Sequence, residues 1–167
     1  MRKYFLLALI FLGSVVFWAQ NVKYPVSNMS GTTFTAIVDN TINQDVPYVK
    51  INDTKIPVEI VKTPAEVQKG LSGRPYLDQD KGMLFIFSKT DYYRFWMPDM
   101  HFPIDIIWIN NSIIVDISHN VSNKFDPAKP KFYSPTKKVN YVLEVNAGFS
   151  KENNIKIGDT VNLSNVK

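Results

Sequence analysis

Apolar and polar positions divide this chain into three stretches. Phe5–Ala19 is an apolar run with no charged residue, preceded by Arg2 and Lys3. From Gln20 to about residue 46 the chain is rich in Asn, Thr and Ser with little periodicity, which predicts a polar tether. Within it only Phe34–Val38 has the look of a short strand. Beyond Pro47, short apolar segments alternate with turn-forming clusters, the pattern of a small β-rich domain. Lys55–Val61 alternates like a strand, and Pro57, which lacks a donor N–H, argues for an edge position. Thr63-Pro64-Ala65-Glu66 predicts a helix start: Thr63 as N-cap, proline in the first turn, and a glutamate three residues after the cap to reach back to its N–H. The helix turns Val67 and Leu71 inward and stops near Gly70, a residue suited to a positive-φ cap. Gly82–Phe87, Tyr93–Met97, Ile104–Ile109, Ile113–His119, Lys138–Val145 and the stretch ending at Val161 read as further strands. Asn110-Asn111-Ser112 predicts a hairpin turn. Ser118–Val139, with its prolines, serines and lysines, reads as a long loop, and Ser150 can cap a short helical turn.

These elements predict a mainly β fold with α additions: a small barrel- or sandwich-like domain of about seven short strands and one capped helix, spanning 47–167. The tether covers 20–46. The 1–19 segment, a basic start followed by an apolar run, is either an export signal or an N-terminal membrane anchor. Its apolar length suits a signal better than a spanning helix, which needs roughly 20 residues. Ala19 is a small residue at the cleavage position, but Phe17 two residues earlier is bulky. Both readings put the domain outside the cytoplasm: periplasmic, secreted, or membrane-anchored facing outward. The chain has no cysteine, which excludes disulfides, thiolate metal sites and a cysteine nucleophile. Its net charge of +4 falls to +2 once Arg2 and Lys3 are set aside. Lys124, Lys129, Lys131, Lys137 and Lys138 gather in the long loop and read as a solvated segment, not a nucleic-acid surface.

Asp105, inside Pro103-Ile104-Asp105-Ile106-Ile107, and Glu144, inside Val142-Leu143-Glu144-Val145, are carboxylates embedded in apolar strands. A buried carboxylate is expensive unless paired or hydrogen-bonded, so each marks a structural anchor or a site. Arg74 and Arg94 stand out in a chain with three arginines and sixteen lysines, and arginine suits bidentate pairing with a carboxylate. One expectation is therefore a structural pair between Arg74 and Asp105 or Glu144. A second is a binding cluster that includes Arg74, Trp96, Asp99 and Asn146. A third is an acid/base pair of Asp105 and Glu144, as in glycoside hydrolysis. Asp99, His101 and Asp105 have a spacing compatible with a divalent metal, though one histidine with two aspartates is a thin ligand set. Trp96, beside Pro98, is the aromatic expected to be partly exposed, and with Tyr92 and Tyr93 it suggests a groove for a sugar or an extended peptide. There is no Gly-rich phosphate loop, nucleophile elbow or Ser-His-Asp order. No cofactor is implied.

Five blocks resemble, in order, domain-of-unknown-function family 192: Thr63-Pro64-Ala65-Glu66 with Gly70-Leu71 and Arg74; Gly82-Met83-Leu84-Phe85; Phe95-Trp96-Met97 with Pro103-Ile104-Asp105-Ile106; Tyr141–Gly148; and Ile157-Gly158-Asp159. The resemblance covers roughly 50–163 and implies a conserved bacterial and archaeal protein, commonly exported or membrane-tethered, of no established activity. Pro98 stands where a lysine is frequent in that family. The expected function is a non-catalytic binding or structural module of the cell envelope, taking a small ligand, a glycan or an envelope protein, and touching the membrane only through an uncleaved N-terminus. The alternative is an envelope hydrolase using Asp105 and Glu144, with or without a divalent metal.

Overall fold

The structure is a computed structural model that describes residues 46–166. The apolar run, the tether and the Phe34–Val38 strand lie outside the described residues. Seven strands form one sheet: β1 (Tyr48–Ile51), β2 (Thr54–Val61), β3 (Gly82–Asp91), β4 (Ile104–Asn110), β5 (Ile113–Val121), β6 (Val139–Asn146) and β7 (Val161–Asn162), with two short helices, α1 (Pro64–Lys69) and α2 (Phe149–Glu152). The order across the sheet is β5-β4-β6-β3-β2-β1-β7. Only β2 and β3 run parallel, joined by α1 and the turns after it; the other pairs are antiparallel.

The sheet curls into a half-barrel, and its two edges meet at one end. Thr160 bridges Ile113, the Ile114 N–H donates to Asp159 O at 3.0 Å, and the Gly158 N–H donates to Ile114 O at 2.8 Å. Pairing the edges in this way removes open donors and acceptors that would otherwise template association. Because residues from both edge strands share one cluster (Ile114 of β5, Val161 of β7, with Ile107, Leu143, Leu84 and Val49), that face is the concave interior. The opposite face carries Met83, Phe85, Ile106, Trp108 and Val142 and is covered by Leu71, Met97 and Met100. The period-2 alternation of side chains along each strand feeds the two clusters in turn.

The capped start forms as expected, but the helix stops at Lys69, so Leu71, expected on its inner face, is buried from the turn beyond Gly70. The Glu66 N–H donates to Thr63 Oγ1 at 3.3 Å, while Glu66 Oε2 accepts from Thr63 N at 2.9 Å and Lys62 N at 3.1 Å. Gly70 ends the helix with φ 47° and ψ −130°, a glycine-only region distinct from the left-handed cap expected. The hairpin expected at Asn110–Ser112 joins β4 and β5, with Asn111 at φ 54°. Pro57 does not lie in an edge strand. It pairs with Tyr48 of β1, and β3 begins its pairing only at Val58, so no β3 partner awaits the missing N–H. Tyr93–Met97 is not a strand: it touches another segment only through a bridge between Phe95 and Tyr133. Its aromatics alternate like those of a strand, but they pack as a loop across the outer face.

Candidate functional site

The two embedded carboxylates have opposite fates, set by register. On β4, Asp105 pairs with Val145, while the neighbouring Ile106 pairs with Glu144. Residues directly opposite in a ladder share a face, and adjacent residues alternate. Asp105 therefore points to the concave side and Glu144 to the outer side. The expected acid/base pair is not brought together, because a one-residue offset across a sheet places the sheet itself between the two carboxyls.

Asp105 is fully buried. Its Oδ1 accepts from the Asn120 N–H at 2.8 Å and the Gly148 N–H at 3.2 Å, and its Oδ2 accepts from the Ser150 N–H at 3.0 Å. Asn120 and Gly148 both have positive φ, 48° and 89°. The carboxylate thus ties the end of β5 and the turn into α2 to β4, and α2 sends Phe149 into the concave core. His119 Nδ1 lies 3.9 Å from Asp105 Oδ2. Asp105 is a structural anchor whose charge is offset by three N–H donors, the arrangement that makes a buried carboxylate tolerable.

Glu144 is 6 % exposed. Among the described residues its carboxyl has neither a hydrogen-bond nor an ion-pair partner. Desolvation alone raises its pKa from 4.5 to about 8, so it is largely protonated at neutral pH. It forms the floor of a cavity of about 30 Å³ on the outer face, walled by Leu71, Phe95, Trp96, Met97 and Met100. Two segments roof this cavity and are fastened to each other. Ser72 Oγ donates to Pro98 O at 2.9 Å, and the Gly73 N–H donates to Asp99 O at 2.8 Å. Gly82, across the β3–β6 ladder, has no room for a side chain: a Cβ there would lie 2.9 Å from Glu144 O and 2.9 Å from Leu143 Cδ1. That close approach fixes β6, and Glu144 with it, against β3.

Trp96 stands at the rim, 45 % exposed, as expected beside Pro98. It does not join Tyr92 and Tyr93. Its ring stacks on Phe132 (centroids 5.8 Å, 9°) and meets the edge of Phe125 at 5.7 Å, while the Arg94 guanidinium lies 4.1 Å from the Phe132 centroid. Tyr93 instead stacks on Phe87 at 3.6 Å and donates its hydroxyl to Lys89 O. Sequence reasoning missed Phe125 and Phe132. The available signal was two aromatics inside a loop otherwise built of lysine, proline and serine.

Arg74 pairs with neither embedded carboxylate. It grips Glu59 of β2 bidentately, Nη1 to Oε2 and Nη2 to Oε1, each 2.7 Å. The guanidinium holds the Glu59 carboxyl below its ordinary range. Glu59 neighbours Met83 in the ladder, and Met83 neighbours Glu144, so one row runs Glu59–Met83–Glu144–Ile106 across the outer face. The turn after α1 delivers Arg74 to the exposed end of that row, where pairing costs little desolvation. The pair lines an open cleft of about 370 Å³ with Tyr76 and Lys81. Asn146 secures this neighbourhood, its Nδ2 donating to the Leu77 and Asp78 carbonyls at 3.0 Å each.

Asp99 and His101 do meet, Oδ1 to Nε2 at 3.4 Å, on the surface. Asp105 is committed to its three N–H donors, and no cluster of three histidine, aspartate or glutamate residues suited to a metal forms among the described residues.

The geometry defines a β half-barrel with a capped helix and an outer-face cavity floored by one neutral acid. Residues 48–163 match the family DUF192, Uncharacterized ACR, and the chain belongs to that family. Solved structures similar to it include these two. One, from Sinorhizobium meliloti 1021, is described as a candidate transcription regulator; it is 27% identical with a TM-score of 0.64, covering 72% of this chain and 95% of that one. The other, a protein of unknown function from Novosphingobium aromaticivorans DSM 12444, is 29% identical with a TM-score of 0.62, covering 69% and 83%. No curated protein matches the chain.

Proposed function

We propose that this protein is a non-catalytic binding module of the cell envelope, held outside the cytoplasm, whose ligand enters the outer-face cavity between Trp96 and the end of α1. The observation that carries this reading is the isolation of Glu144: a buried, unpartnered carboxyl at the floor of a cavity, with Asp105 on the other side of the sheet. Hydrolysis by paired carboxyls needs two of them on one cleft, roughly 5–9.5 Å apart. A lone neutral acid under an exposed aromatic rim is suited instead to recognition, because perturbed groups gather where ligands are held. The basic, apolar N-terminus supports an export route. The regulator description belongs to the Sinorhizobium protein. Here α1 and α2 are six and four residues long, too short to lay a reading helix along a DNA groove.

The test is a thermal-shift screen of the full chain against envelope glycans, small metabolites and peptides, with fractionation of the tagged protein alongside. The expected result is a ligand that raises the apparent melting temperature, fails to do so for Trp96→Ala, and is recovered chemically unchanged. Turnover of a glycan or peptide that Glu144→Gln abolishes would establish the hydrolase instead. Recovery of the protein chiefly from the cytoplasm would overturn the envelope assignment.

A further inference from the structure

We infer that the outer-face cavity is a receptor for a primary ammonium group, with Glu144 as its counter-ion and Trp96 at its mouth. The inference rests on the binding reading above and names the chemical class of the ligand. Size is the first argument. A cavity of about 30 Å³ exceeds the ~10–15 Å³ that one water-sized group requires, and falls far short of a sugar ring. It accepts a head group, with the remainder of the ligand outside.

Chemistry is the second argument. A carboxyl buried without a partner favours a cation, because the attraction of a paired cation offsets the desolvation that keeps it neutral. The walls suit a cation more than a hydroxyl. Phe95 and Trp96 bring aromatic π-systems, which attract ammonium groups, and Met97 and Met100 bring polarizable thioethers. Ser72 Oγ also lines the cavity; it donates its proton to Pro98 O and keeps lone pairs that accept from an ammonium N–H.

The charged surroundings hold one other cation, at the exposed edge of the cavity. On α1, Lys69 lines the cavity and makes no salt bridge among the described residues. From β2, Glu59 lies beyond Met83 and is held by Arg74. β3 lines the cavity with Phe85, and the ladder neighbours of Glu144 on β3 and β4, Met83 and Ile106, are apolar. The 95–100 segment contributes one charge, Asp99, which is exposed and turned to His101.

Ammonium binding converts Glu144 to its charged form. Since burial keeps the carboxyl protonated up to about pH 8, one proton leaves for each ammonium bound. Affinity therefore rises close to tenfold per pH unit below that value and levels off above it. A neutral hydroxyl ligand releases no proton and shows no such slope.

The experiment is calorimetric titration of the full chain with n-butylammonium chloride, its neutral isostere n-butanol, and Nα-acetyl-lysine amide. Titrations at pH 6, 7 and 8 in buffers of different ionisation enthalpy count the protons released. The expected result is binding of both amines, nearly one proton released at pH 6–7, and no detectable butanol binding. Glu144→Gln should weaken the amines at least tenfold at pH 8, and Trp96→Ala several-fold. Acetyl-lysine amide binding more tightly than butylammonium would identify a lysine side chain of a peptide as the source; equal affinities would identify a free alkylamine. Butanol binding as tightly as the amines, pH-independent amine affinity, or amine affinity that survives Glu144→Gln would each overturn the inference. If the amines fail but another ligand depends on Trp96, the ammonium class falls and the binding module stands.

Discussion

Replacing Asp105 by alanine removes the acceptor for three backbone donors at once: Asn120 N–H at 2.8 Å, Gly148 N–H at 3.2 Å and Ser150 N–H at 3.0 Å. A hydrogen bond to a charged group contributes about 1.5–3 kcal/mol, and a buried donor left unmade costs about 1–3 kcal/mol. The three are not additive, because the turn into α2 can relax toward water once released. The expected loss is about 4 kcal/mol. Domains of this size have total stabilities of about 5–15 kcal/mol, so the variant should remain folded but near its limit. Asp105→Asn keeps one acceptor oxygen for Asn120 and Gly148 but turns an NH2 toward the Ser150 N–H, and should cost about 2–3 kcal/mol. Urea unfolding followed by circular dichroism is the assay. With a slope of about 2 kcal/mol per M, the midpoint should fall by about 2 M for alanine and about 1 M for asparagine. A functional carboxylate gives the opposite pattern, since groups held for function are often neutral or stabilising to remove. Midpoints within 0.3 M of the parent, on the order of the method's error, would refute the anchor.

The other predictions concern the outer face. Burial raises the native pKa of Glu144 above its unfolded value, so its contribution is complete below about pH 4.5 and declines as pH rises toward 8. Glu144→Gln should therefore stabilise the domain by roughly 3 kcal/mol at pH 7 and by little at pH 4, read from urea midpoints at the two pH values; equal effects would contradict the burial argument. Arg74→Ala should cost less than about 1 kcal/mol, because both partners are substantially exposed, 35% and 53% at the side chain; a double-mutant cycle with Glu59→Ala measures the coupling, and a loss above 2 kcal/mol, roughly the scale of a desolvated pair, would show the pair to be structural. Gly82→Ala should cost about 1–3 kcal/mol by forcing β3 away from β6, where a Cβ would lie 2.9 Å from Glu144 O; unchanged thermal stability would show that the ladder has slack there. Thr63→Ala should lose about 1 kcal/mol with the capping box, checked by the same unfolding assay.

Local chemistry made much of the fold legible. Thr63, Pro64 and Glu66 specify a helix start through bonds that span three residues, and no distant partner is needed to form them. The Asn110–Ser112 turn sets its hairpin in the same way. Apolar alternation located six of the seven strands in whole or part, since the period of a strand is a property of the backbone. Where the alternation came from aromatics in a surface-crossing loop, at Tyr93–Met97, the same signal misled, because burial against a sheet does not require membership in it.

The sequence by itself determined that Asp105 and Glu144 are embedded in apolar strands and that each needs an account. Which account applies was decided by tertiary structure alone. The β4–β6 register, a relation between segments some forty residues apart, turns one carboxyl to the concave side and the other to the outer side. The turn into α2 then brings N–H donors to Asp105, while nothing among the described residues reaches Glu144. Likewise Arg74 finds Glu59 because the parallel β2–β3 crossover returns it there, not because either residue's neighbours announce the pairing. Periodicity fixes whether a side chain is buried. Only the assembled sheet fixes which face it reaches and what it meets, because a one-residue shift in pairing reverses both.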